Sequence, residues 1–179
     1  DDEFVGNVLV GNDDDSLLHG TPGDDEITGG VANESVAGGA GADTLTGGAG
    51  ADTLTGGDGA DTFDFTTSSE SDATTTDTIT DFVGGTDEIS FRNAATFEDL
   101  TATDLSASAD LATAVANAFA AADANNDGGI EALQFEFDDG TGTSTYFAVE
   151  ATANGDETGA LVIDVTGVSG TVVADDFVA

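Results

Sequence analysis

A nine-residue register runs through the first third of this chain and limits its fold more than any other feature. Between Gly38 and Asp64 the sequence reads GGAGADTLT, GGAGADTLT, GGDGADTFD: three tandem nonapeptides, two of them identical. Extended backwards without gaps, the register places Gly at 11, 20, 29, 38, 47 and 56. Its eighth position reads Leu9, Leu18, Ile27, Val36, Leu45, Leu54 and Phe63, an unbroken apolar column. Its sixth reads Asn7, Ser16, Asp25, Glu34, Asp43, Asp52 and Asp61. A strand alternates its side chains between faces, so in Thr44-Leu45-Thr46 the leucine points inward and the threonines outward. One inward residue per strand makes no core, but stacked copies do, which is why such units come in arrays. The glycines allow the head of each repeat to turn tightly, and a tight turn exposes carbonyl oxygens. One carboxylate per turn, added to those carbonyls, gives hard oxygen ligands that suit Ca2+. A metal-free Gly-Asp-rich linker would have no need of the apolar column.

The pattern G-G-x-G-x-D-x-U-x, with U apolar, resembles the calcium-binding repeat of the RTX family. The resemblance implies a mainly β fold, a right-handed parallel β-roll in which two nonapeptides make one turn. Turns on one edge then belong to repeats n and n+2. Carried over, ions would sit between Asp25 and Asp43, between Asp43 and Asp61, and between Glu34 and Asp52. Backbone carbonyls of the turns around Gly39, Gly41, Gly48, Gly50, Gly57 and Gly59 would complete the shells. The repeats of Asp43, Asp52 and Asp61 match the pattern fully, whereas Asp25 sits in GTPGDDEIT and Glu34 in GGVANESVA. At Ser16 the carboxylate is missing.

The register ends at Phe65, and a Ser/Thr/Asp-rich loop follows. The segment DTITDFVGGTDEISF, Asp77 to Phe91, has apolar anchors at Ile79, Phe82, Ile89 and Phe91 around a Gly84-Gly85 turn. It resembles the capping segment of serralysin-type RTX tails, which implies further calcium ligands at Asp77, Asp81 and Asp87; the alternative is a set of turn residues that cap strands. Leu111, Val115, Ala118, Phe119 and Ala122 recur at helical spacing and predict a helix over about 105–122, started by Asp104 or Ser106. The loop that follows matches an EF-hand at Asp123, Asn125, Asp127, Gly128 and Ile130, but its twelfth residue is Gln134 in place of the bidentate Glu. Hairpin strands are expected around Leu133–Phe137, Tyr146–Val149 and Leu161–Val165, with a short last strand at Val172-Val173. The chain thus divides into a roll over 1–65 and a capping and α+β region over 66–179.

Composition narrows the function. The chain has 37 Asp and Glu against one Lys or Arg, a formal net charge of −36. Such acidity opposes nucleic acid and anionic membranes as partners, and self-repulsion opposes compaction until cations relieve it. No apolar run reaches the ~20 residues of a membrane span. The chain has no Cys and a single His, His19, and lacks H-E-x-x-H, so protease, thiol and Ser-His-Asp chemistries have no basis and no enzyme activity is expected. The terminal Asp175-Asp176-Phe177-Val178-Ala179 resembles the C-terminal export signal of RTX proteins, which implies the type I secretion machinery as a partner and a secreted or cell-surface location. Its removal is expected to leave folding intact. Three readings follow: a secreted module that folds on binding Ca2+; a calcium-dependent subunit of a lattice or filament; and the tail of a larger RTX exoenzyme.

Overall fold

The computed structural model describes residues 7–11, 17–65, 70–72, 74–91, 96–97, 103–104, 108, 110–122, 131–138, 143–149 and 160–178. The strands of the repeat region are β1 (Val8–Val10), β2 (Leu17–His19), β3 (Glu26–Thr28), β4 (Ser35–Ala40), β5 (Thr44–Thr46), β6 (Thr53–Asp58) and β7 (Thr62–Phe65). They are followed by β8 (Asp77–Ile79), β9 (Val83–Gly84), β10 (Glu88–Phe91), β11 (Thr96–Phe97) and β12 (Thr103–Asp104). A helix, α1 (Leu111–Ala122), precedes β13 (Glu131–Asp138), β14 (Thr143–Val149), β15 (Leu161–Val165), β16 (Ser169–Gly170) and β17 (Phe177–Val178).

Successive repeats feed opposite sheets. One sheet runs β1-β3-β5-β7-β10-β17 and the other β11-β13-β14-β15-β8-β6-β4-β2. Within each, neighbouring repeats pair in parallel at a separation of eighteen residues: Leu9 opposite Ile27, Ile27 opposite Leu45 and Leu45 opposite Phe63 in one, Leu18 opposite Val36 and Val36 opposite Leu54 in the other. Nine residues therefore carry the chain from one sheet to the other, and eighteen bring it round to the next layer. This is a parallel β-roll. The eighth-position residues fill the space between the sheets, and from Ile27 to Phe63 each is fully buried. Burying a side chain of this size contributes about 1.5–3 kcal/mol, so the column supplies the drive to stack.

Beyond residue 65 the chain extends both sheets. Ile89 and Phe91 of β10 lie opposite Phe63 and Phe65, and Ile79 of β8 lies opposite Leu54. The hairpin strands join through β15, which pairs in parallel with β8. Strands β14 and β15 are covered on both faces. Phe147, Val149, Ile163 and Val165 enter the core of the roll, while Tyr146, Ala148 and Val162 meet Val115, Ala118 and Phe119 of α1 and Leu133, Phe135 and Phe137 of β13.

Two expectations are corrected here. The helix begins at Leu111, not near 105, because Thr103 and Asp104 are taken into a strand opposite Phe135 and Glu136. Asp110 serves as the cap instead, accepting the Thr113 N–H at 2.8 Å. Val172-Val173 forms no strand, because the Val173 N–H donates to Asp176 Oδ2 and the Val173 carbonyl accepts the Asp176 N–H. That turn folds the terminus back so that Phe177 pairs beside Ile89.

Candidate metal centre

The sixth-position residues form two ladders, one along each edge of the roll. On one edge the Asp25 N–H donates to Asp43 Oδ1 at 2.8 Å, the Asp43 N–H to Asp61 Oδ1 at 3.0 Å, and the Asp61 N–H to Asp87 Oδ1 at 3.1 Å. On the other edge the Glu34 N–H donates to Asp52 Oδ1 and the Asp52 N–H to Asp77 Oδ1, both at 2.8 Å. Residues eighteen apart in the repeats are thus neighbours, and the segment after the array takes the next rung on each edge.

These bonds occupy one oxygen each of Asp43, Asp52, Asp61, Asp77 and Asp87, and Glu34 Oε1 accepts the Ala32 N–H at 3.1 Å within its own turn; the other oxygen divides the candidates into two groups. Glu34 Oε2, Asp43 Oδ2, Asp52 Oδ2, Asp61 Oδ2 and Asp77 Oδ2 are shielded from water and accept no hydrogen bond. Asp25 differs: its Oδ2 accepts the Thr21 N–H at 2.5 Å and its Oδ1 the Asn7 N–H at 2.6 Å. Asp87 Oδ2 accepts the Val83 N–H at 2.8 Å. The two oxygens of Asp81 accept the N–H groups of Gly56 and Gly57, each at 2.9 Å. Asp123, Asn125 and Asp127 lie outside the described residues.

The glycines explain how the free oxygens come to be enclosed. A Cβ on Gly38 would run into both Asp43 Oδ2 and the Gly56 carbonyl oxygen; on Gly47 it would meet Asp52 Oδ2, and on Gly56 Asp61 Oδ2. Gly38, Gly47 and Gly56 therefore each keep open a small space bordered by an unpartnered carboxylate oxygen. Gly39, Gly41, Gly48, Gly50, Gly57 and Gly59 all have positive φ. At Gly57 (φ 108°) a side chain would also strike the Gly39 carbonyl of the layer below, so both conformation and space demand glycine.

The electrostatics are unbalanced. Asp43, Asp52 and Asp61 are each 1 % exposed and Asp77 is fully buried. Burial and neighbouring carboxylates outweigh the amides that bond them. The Asp52 and Asp61 carboxyls are pushed up to about 6, Asp77 to about 8, and Asp43 and Asp87 are raised as well. At Asp25 burial also raises the carboxyl, but the amides of Asn7 and Thr21 and the Thr21 hydroxyl outweigh it and hold it below the ordinary range. The sole Lys or Arg of the sequence is Arg92, so no Lys or Arg stands among the described residues to neutralise the ladders. Buried, ionised and unpartnered oxygens cost several kcal/mol each unless protonated or bound to a cation.

Hard carboxylate and carbonyl oxygens fit Ca2+. Among the described residues no group of three or more acidic or imidazole side chains could hold a metal by itself. A cation would therefore be held by carboxylates of adjacent layers together with backbone carbonyls of the turns. Two residues tied to the ladders carried no signal in sequence. Ser71, in the irregular loop after the array, accepts the Asp77 N–H, and Asp176 accepts the Gly85 N–H at 2.8 Å beside Asp87.

The family model for the serralysin C-terminal region of the M10 peptidases matches residues 13–179. Among the solved structures of similar fold are two subunits of the mannuronan C5-epimerase of Azotobacter vinelandii. The AlgE6R3 subunit is 26 % identical with a TM-score of 0.55, covering 98 % of this chain and 81 % of its own. The AlgE6R2 subunit is 27 % identical with a TM-score of 0.50, covering 94 % and 90 %. No curated protein matches the sequence. With both the repeats and the segments after them inside the matched region, the chain belongs to the Peptidase M10 serralysin C-terminal family.

Proposed function

We propose that this chain is a secreted, non-catalytic module that folds on binding several Ca2+ ions and whose C-terminal residues serve as a type I export signal. The supporting observation is the set of buried, unpartnered carboxylate oxygens at Glu34, Asp43, Asp52, Asp61 and Asp77, with no Lys or Arg among the described residues to balance them. A chain so charged stays expanded where calcium is scarce, and calcium binding to the native state alone adds directly to folding free energy. Membership in a serralysin C-terminal family supports export, and no described helix is long and apolar enough to cross a membrane.

Calcium titration followed by circular dichroism tests the reading. The chain should be largely unfolded in chelator and gain β-structure cooperatively with Ca2+. Mg2+ should fail, since it demands near-octahedral geometry and gives up water reluctantly. Full β-structure in chelator at low salt would refute the proposal.

A second reading, calcium-dependent self-assembly into a lattice or filament, is favoured by the apolar face of β1, the outermost described strand of its sheet, where Val8 and Val10 are 71 % and 72 % exposed. Electron microscopy after calcium addition separates the two: ordered arrays for assembly, dispersed particles for a module.

A further inference from the structure

Asp77 stands where the array hands over to the rest of the chain. Its strand β8 pairs with β6 on one side and with β15 on the other, where Asp77 lies opposite Ile163. The lower rungs of this ladder end on carboxylate oxygens, but the Asp77 N–H donates to Ser71 Oγ at 2.7 Å. Ser71 is fully buried, and its hydroxyl donates in turn to the Val162 carbonyl of β15. The Val162 N–H donates to the Ser71 carbonyl at 3.3 Å. An ionised carboxylate could not take this place, because it only accepts; a hydroxyl accepts from one side and donates to the other. Ser71 thus joins a column of anions to β15, a strand of the same sheet that carries no repeat.

Asp77 is also where charge is least tolerated. Its Oδ2 is buried without a hydrogen-bond partner, and the charges that act on it, those of Asp52, Glu70 and Glu34, are all negative. While that anion is uncompensated, burying β8 is opposed, and β8 is the strand on which both β6 and β15 rely.

We infer that the Asp77–Ser71–Val162 connection couples cation binding on this edge of the roll to docking of strands β13–β15, so that calcium held by the repeats orders a part of the chain outside the array. The inference rests on the calcium reading proposed above. The two sites are distinct, and the shared element with two states, docked or not, is β8.

Hydrogen exchange of the whole chain across a calcium titration tests it, read separately in the repeat strands β3 and β5 and in β14 and β15. In the wild type, protection of β14 and β15 should rise at the calcium midpoint of the repeats. Ser71→Ala should move the β14–β15 midpoint severalfold higher and leave β3 and β5 unmoved. Asp77→Asn keeps an acceptor for the Asp52 N–H but removes the charge, and should leave β14 and β15 protected in chelator. The coupling is overturned if wild-type β14 and β15 are protected equally with and without calcium, or if Ser71→Ala shifts both regions alike. Should Asp77→Asn not fold, the wild type and Ser71→Ala still decide. If calcium protects no part of the wild-type chain, the calcium reading itself fails.

Discussion

At the scale of single residues, the carboxylates of the ladders carry opposite consequences with and without a cation. Asp43 accepts the Asp25 N–H through one oxygen and leaves the other buried and free. Asp43→Asn keeps that acceptor and removes the charge, so in chelator the variant should have more residual structure than the wild type. In calcium its midpoint should rise about ten- to a hundredfold, the scale of losing one charged partner worth about 1.5–3 kcal/mol. Asp58→Asn, at an exposed position, should change neither. Equal shifts for the two variants in a circular dichroism titration would contradict the assignment of Asp43. The raised carboxyls also set a pH dependence. A carboxyl whose folded value lies above its unfolded value of about 3.9 favours the folded state when protonated. That stability is present below about pH 4 and is lost as pH rises through about 6 for Asp52 and Asp61 and about 8 for Asp77. In chelator, acidification from pH 8 to about pH 4.5 should therefore restore β-structure. In calcium the same acidification should raise the midpoint, because protons compete for the same oxygens. A metal-free chain equally unfolded at both pH values would show that these groups do not govern folding.

At the scale of elements, the packing of the terminal strand predicts a loss of stability on its removal, whereas the sequence alone leads to the expectation that folding stays intact. Asp176 is buried and accepts the N–H groups of Gly85 and Val173. The Phe177 ring meets Phe147 edge-on at 5.3 Å and Phe91 at 6.4 Å, bridging the hairpin sheet and the roll. Phe177→Ala should lower stability in calcium by about 2 kcal/mol, roughly half the cost for a fully buried Phe, since Phe177 is half-buried. Thermal melts in saturating calcium check this, and an unchanged melting temperature would mean that β17 is dispensable. What could be read from sequence follows the same division. The roll was legible because one period carried three columns of different chemistry, and the column of Leu45, Leu54 and Phe63 left one way to bury itself. The anchors Ile79, Phe82, Ile89 and Phe91 were legible as apolar spacing, and all four are buried. The pairing of Thr103 and Asp104 with β13, the role of Ser71 and the docking of Phe177 were not, because each depends on contacts with residues distant in sequence and repeats no pattern. Nor does sequence tell which oxygen of a carboxylate is already used: Asp25 and Asp43 occupy the same register position, yet only Asp43 keeps one free.

At the scale of the whole molecule, the charge of −36 acts on the unfolded chain as much as on the folded one. Salt and calcium should be separable by what they change. In chelator, about 1 M NaCl shortens the Debye length to about 3 Å and should reduce the radius of gyration. It should not produce the cooperative β-transition, because screening between exposed charges leaves buried oxygens unpartnered. Small-angle scattering beside circular dichroism reads the two effects apart, and a full β-transition in NaCl alone would leave calcium no specific role. The path of the chain adds a consequence in time. Strand β17 lies at the opposite end of its sheet from β1, so the last described strand is also the last described rung of the stack. A chain threaded amino end first can lay down its repeats as they emerge, yet its stack stays uncapped until Phe177 arrives. A chain threaded carboxyl end first has the cap outside before any repeat, and each layer then finds a finished surface on which to settle.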